Sequence, residues 1–207
     1  MAHHRATARR PVTREPTAPQ LRLELPAWLA AARPAAAAAA TDAERMRLVL
    51  DLCRESVRHG GGPFAAMILD PAGRVAGVGV NLVVSGRSSI LHAEIVAIIE
   101  AEAAAGRHTL PDGYSLVTSC EPCAMCLGAV LWSGLSRVVW AATREDAMAA
   151  GFDEGPVFTA SHEYLRARGV HLEPGPLRTH ARAVLDDYRA RGGVLYNRPG
   201  VEGKKEK

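Results

Sequence analysis

Read for the spacing of its apolar positions, the chain changes character near residue 41. Residues 1–40 are rich in Ala, Arg and Pro and keep no sustained period, so a disordered or loosely attached N-terminal arm is expected there. From Thr41 the pattern turns helical. Met46, Val49, Leu50 and Cys53 recur at three- and four-residue steps, Thr41 or Asp42 can cap the start, and the glycines after His59 end it. "PFAAMILD" and "RVAGVGVNLVV" are short β-favouring runs joined by "DPAG", tight-turn chemistry, and predict an antiparallel hairpin. "LHAEIVAIIEA" predicts a second helix ended by Gly106, "YSLVTS" a buried strand, "PCAMCLGAVLWSG" a third helix and "SRVVWAA" another strand. A short helix to Ala150, the loop "GFDEGPV", a helical piece, a strand at "GVHLE" and a last helix from about Leu177 to Arg191 follow. Strand and helix alternate, which predicts an α/β fold: a three-layer α/β/α sandwich around a central mixed sheet. It should form one domain over 41–198, followed by a charged tail at 199–207, and there is no internal repeat.

Composition narrows the class. With 207 residues and 48% hydrophobic content the chain can bury one good core. No run of about 18 apolar residues occurs, so no membrane span is expected. The basic start ahead of an Ala-rich stretch lacks a clean apolar centre for an export signal. Residues 1–22 hold five Arg against Glu15, a net of +4, which leaves −1 of the overall +3 for the rest. A near-neutral body argues against a large nucleic-acid footprint, although the Arg-rich arm keeps such a partner open. Three of the four cysteines, Cys120, Cys123 and Cys126, fall within seven residues. That suits a metal in a reducing, cytoplasmic compartment better than an extracellular disulfide framework.

The metal-like spacing is specific. Cys123 and Cys126 share one face of a helical turn, Pro122 suits the first helical position, and the helix dipole favours thiolates there. A redox pair, a closed structural zinc site and two packed thiols compete with this reading. The chain offers no second pair for a closed site, and Cys120, the one spare thiol, is expected to face away. An open site with three protein ligands fits better, and His92 is the third candidate. Mid-helix residues two apart project roughly 200° from one another, so His92 and Glu94 can share a site only if His92 stands at the helix start. His-x-Glu followed by Pro-Cys-x-x-Cys is the signature of zinc nucleobase deaminases.

On "HAE" at 92–94 and "TSCEPCAMC" at 118–126 the chain resembles the cytidine-deaminase superfamily, and more narrowly its guanine-deaminase branch. "GGPFAA", Asn81, "CLGAVLW" and "AGFDE" extend the resemblance from about Gly61 to Phe158, while the segment from Ser161 onward matches poorly. The resemblance implies Zn2+ held by His92, Cys123 and Cys126 with one position open to water, and Glu94 as the proton carrier. It also implies a second acid after Gly-Phe: Glu154, with Asp153 as its rival in the same loop. Asn81, Phe64, Ala93, Trp132 and Asp153 are the expected substrate contacts. Alone, Asn81 would read as a strand-end turn residue and the aromatics as core. The remaining histidines, His3, His4, His59, His108, His162, His171 and His180, lack a partner at ligand spacing and are expected at the surface.

The expected function is hydrolytic deamination of a free purine base, with guanine to xanthine plus ammonia leading. A tRNA adenosine, cytosine, guanosine, or a triazine or specialised-metabolite ring remain alternatives, as does an inactive zinc-stabilised binding module, for which Glu94 would be useless. Ile95, Val96, Ile98 and Ile99 leave the second helix little polar face, which predicts a homo-oligomer, a dimer by the family's habit.

Overall fold

The structure, a computed structural model, describes residues 23–32 and 41–196. Residues 1–22 and 33–40 of the expected arm and the tail at 199–207 lie outside the described residues. Five strands, β1 (Ala65–Leu69), β2 (Val75–Val80), β3 (Ser115–Cys120), β4 (Arg137–Ala142) and β5 (His171–Pro174), lie in the order β2-β1-β3-β4-β5. β1 runs antiparallel to β2 and β3, while β3, β4 and β5 are parallel, so the sheet is mixed. The hairpin turns where it was expected. Asp70 Oδ1 accepts from the Ala72 and Arg74 amides at 2.9 Å each, and Gly73 takes φ +78.

Seven helices are described: α1 (Ala27–Ala32), α2 (Asp42–Arg58), α3 (Ala93–Ala105), α4 (Ala124–Ser133), α5 (Arg144–Ala150), α6 (Thr159–Ala167) and α7 (Arg178–Ala190). The period-2 alternation of the strands sorts them into two layers. Ala65, Met67 and Leu69 of β1, Val117 of β3 and Val139 and Ala141 of β4 pack with α1, α2, α5 and α7. Ala66 and Ile68, Leu116, and Val138 and Trp140 pack with α3, α4 and α6. The central strands are therefore buried on both faces, as runs without polar alternation suggest.

Two departures from the sequence expectation have physical causes. Residues 23–32, within the expected loose arm, are docked: α1 buries Leu29 to 3% exposure, Leu23, Leu25 and Trp28 pack on the same core, and the Trp28 ring stacks on His59 at 4.8 Å. Ten residues with one helical turn and a half are too short to display a period. Pro122 is not the first helical residue; α4 begins at Ala124, because Cys123 is still extended.

On β2 the α3-facing positions are Gly77 and Gly79. A Cβ on Gly79 would lie 2.0 Å from the Ala93 carbonyl oxygen, and one on Gly77 would lie 2.3 Å from that of Ala97. The α3 backbone therefore rests directly on the strand. This close approach fixes the helix whose start carries His92 and Glu94.

Candidate active site

The N-termini of α3 and α4 converge beside the C-terminal end of β3. His92 is the N-cap of α3, extended at φ −68, ψ 157, and Cys123 is the N-cap of α4 at φ −66, ψ 173. The extended His92 lets its ring and the Glu94 carboxylate share one space, which a continuous helix would forbid. Cys123 Sγ lies 3.5 Å and Cys126 Sγ 3.7 Å from His92 Nδ1. The three ligand atoms lie within 4.8 Å of one another and form the one cluster of this kind among the described residues. Tetrahedral zinc with ordinary Zn–N and Zn–S bonds would set N···S separations at about 3.6 Å, so the donor set fits the ion.

Electrostatics at this point follow from burial and mutual contact. The Cys126 thiol holds the Cys123 sulfur, and with His92 beside it this outweighs burial and brings Cys123 down to about 4. Cys126 is driven the other way by the same thiolate and by burial. Two helix N-termini add positive potential here. Glu94 is 6% exposed, and burial followed by the Cys123 charge raises its pKa. Its Oε1 accepts from Thr118 Oγ1 at 3.2 Å, which orients the carboxylate, and its Oε2 lies 3.5 Å from Cys126 Sγ.

Phe64, Asn81, His92, Glu94, Cys123 and Glu154 line an inner cavity of about 20 Å³, room for roughly one water. An outer hollow of about 250 Å³ shares His92, Cys123, Asp153 and Glu154 with it, so a heterocycle must use that wider space or displace a wall. A groove of about 830 Å³ between α2 and α7 is larger, yet its charged residues pair among themselves: Asp51 with Arg54, Glu55 with Arg58, Asp187 with Arg191.

The two loop acids are separated by orientation. Asp153 is exposed and its Oδ1 accepts the Gly155 amide at 2.9 Å, a local turn. Glu154 is partly buried, and burial, then the Cys123 and Glu94 charges, push it up to about 8. Asn81 is 2% exposed and holds the Val83 amide at 3.2 Å through Oδ1, so it closes the strand-end turn while also lining the cavity. Phe64 meets Phe152 edge-on at 4.8 Å. Ala93 is wholly buried in the α3 layer and is not a lining residue.

Trp132, expected against the ring, is 77% exposed and lines neither hollow of this chain. Nine residues past Cys123 it stands about 13 Å further along the helix and about half a turn around. Cys120 lines the inner cavity, but its thiol donates to the Thr143 carbonyl at 3.6 Å and is not one of the clustered ligands. His162 is not a free surface residue; its side chain is 17% exposed, with Nε2 3.5 Å from Glu121 Oε1. Sequence reasoning missed Thr118, Phe152 and Tyr196. Tyr196 enters from the C-terminus, packs at 5.3 Å on Phe152, and leaves its buried hydroxyl without a partner at the cavity wall. No spacing marks a single tyrosine near a chain end; only the orphaned hydroxyl does.

Comparison with known proteins agrees with this geometry. A family model, the cytidine and deoxycytidylate deaminase zinc-binding region, matches residues 39–142. Guanine deaminase of Bacillus subtilis (strain 168) is 40% identical over 114 residues, spanning 55% of this chain and 72% of that protein. A solved guanine deaminase from Nitrosomonas europaea superposes with TM-score 0.78 at 42% identity, covering 83% of this chain and 97% of that one. A solved mutant protein in complex with 8-azaguanine gives TM-score 0.80 at 41% identity, covering 84% and 98%.

Proposed function

Because this chain belongs to the cytidine and deoxycytidylate deaminase family, we propose that it is a zinc-dependent aminohydrolase converting guanine and water to xanthine and ammonia. The observation that carries the purine assignment is the likeness, across 84% of the chain, to a protein solved with 8-azaguanine bound. His92, Cys123 and Cys126 would hold the zinc, which when bound supplies a Lewis acid that makes water nucleophilic near neutral pH.

Glu94 takes the proton released by the attacking water and hands it to the ring nitrogen beside C2 as the C2–O bond forms. Thr118 keeps that carboxylate pointed at the reacting atoms. Glu154, protonated by virtue of its buried position, gives the exocyclic NH2 group the third hydrogen of ammonia as the C2–N bond breaks, and the C2–OH proton released as C2=O forms restores it. Asp153, engaged in its own turn, is the weaker candidate for that step. Asn81, Phe64 and the Tyr196 hydroxyl lie where they can grip the ring.

The decisive measurement is ammonia release by the zinc-loaded protein from guanine, guanosine, adenine, cytosine and a tRNA anticodon stem. Release from guanine alone is expected; release only from the tRNA stem, or from none, would sink the reading. We also place the protein in the cytoplasm as a homodimer. None of the four cysteines is in a disulfide, and Ile99 of α3 and Trp132 of α4 are 39% and 77% exposed on helices that pack together. No helix among the described residues is long and apolar enough to cross a membrane. Sedimentation equilibrium should give twice the 22.0 kDa chain mass; a species at the chain mass alone removes the dimer.

A further inference from the structure

Residues 151–158 carry Glu154 from α5 to α6, and the two legs of this loop are held by different means. On the near leg the Phe152 amide donates to the Ala147 carbonyl at 3.1 Å, and its ring is wedged among Phe64, Tyr188 and Tyr196. At the crest the Ala124 amide, first in α4, donates to the Glu154 carbonyl at 3.1 Å. The far leg is different: Gly155, Pro156 and Phe158 are exposed. It is drawn back by a side chain thirteen residues away, Arg144, whose Nη1 donates to the Val157 carbonyl at 2.7 Å.

Arg144 is itself anchored to the metal-binding turn. Its amide donates to Glu121 Oε2 at 3.1 Å, two residues before Cys123, and the other Glu121 oxygen faces His162 Nε2 of α6. The Arg144 and Glu121 side chains are 28% and 11% exposed, so this clasp is largely sheltered from water.

We infer that Arg144 is a positioning residue for Glu154. By pulling the far leg inward it keeps the Glu154 carboxyl turned toward Glu94 and the thiols, while Asp153, one residue earlier, stays in solvent. Arg144 touches neither ring nor metal ligand. It acts through the loop, and its effect on rate rests on the deaminase reading above.

The test is a cycle of Arg144→Met, which keeps length and loses the donors, with Glu154→Gln. In the parent, Arg144→Met should lower kcat on guanine by roughly 10- to 100-fold, the penalty of misplaced catalytic groups, with zinc content and Tm retained. Arg144→Lys should recover part of it. In the Glu154→Gln background the same change should cost less than about twofold more, because the group it positions is gone. Full kcat in Arg144→Met, or an equal loss in both backgrounds, overturns the inference. Amide exchange at Glu154, Gly155, Val157 and Phe158 reads the clasp without turnover: it should quicken in Arg144→Met and be unaltered elsewhere, and an unchanged loop also overturns it. Arg144→Gln replaces the Met variant if that protein does not fold. A parent that leaves guanine untouched but whose loop loosens on Arg144→Met would count against the substrate and not against the clasp.

Discussion

Four helix starts in this protein fall into two kinds. α2 and α5 begin on threonines with reciprocal capping. Thr41 Oγ1 accepts the Glu44 amide at 3.3 Å while Glu44 holds the Thr41 amide at 2.9 Å, and Thr143 and Asp146 repeat the arrangement at 3.4 and 2.9 Å. α3 and α4 begin on His92 and Cys123, which make no side-chain cap bond at all. The same backbone position, extended and aimed past the helix end, serves stability in one pair and metal binding in the other. An N-cap bond is worth about 1 kcal/mol, so the site occupies two positions where the fold could have been firmer.

This contrast can be broken from either side. The largest effect is at the uncapped pair: Cys123→Ala should lose zinc by metal analysis and turnover with it. Glu94→Gln should keep the zinc and lower kcat by roughly 10²–10⁴-fold; full activity in Glu94→Gln would refute its role. Next comes α5, where Arg178 beside Asp146 is the main cause holding that carboxyl down at about 2. A depressed folded value means the stabilisation is present above the ordinary value of 3.8 and drains away as pH falls toward 2. Acid titration of Tm should show this loss, screened to no more than about 1 kcal/mol because Arg178 stands in solvent, and Asp146→Asn should flatten it. Thr41→Ala, far from the chemistry, should cost about 1 kcal/mol by urea melts with kcat intact. The smallest effect is the sharpest comparison: Cys123→Ser installs a capping side chain, so the metal-free variant should melt no lower than the metal-free parent although it can no longer hold zinc tightly.

Much of this was legible because it is periodic. The hairpin, the central strands and the helices over 42–58, 93–105 and 178–190 follow from apolar spacing and turn chemistry. His92 at a helix start followed from geometry once the His-x-Glu and Pro-Cys-x-x-Cys signature put both residues at one site, since a residue two before Glu94 cannot otherwise face the same point. What stayed hidden has no period. Trp132 lies on the helix that carries Cys126, yet it is 77% exposed, which the local motif does not signal. Asp153 and Glu154 are chemically alike neighbours, told apart by which one the Ala124 amide and Arg144 turn inward. Tyr196 and the docking of α1 depend on contacts far along the chain, which no local window contains.

The two glycines of β2 bear on how finely the site is placed. A helix on a sheet is ordinarily held off it by a layer of side chains, each with its own rotamers. Between β2 and the start of α3 that layer is missing, because Gly79 puts the Ala93 carbonyl against the strand itself. His92 and Glu94 are therefore placed by two backbones in contact, with no side chain between them. The loops and C-terminus that surround the ring can vary in sequence without disturbing this placement, whereas one methyl group at residue 79 would shift both reactive groups at once.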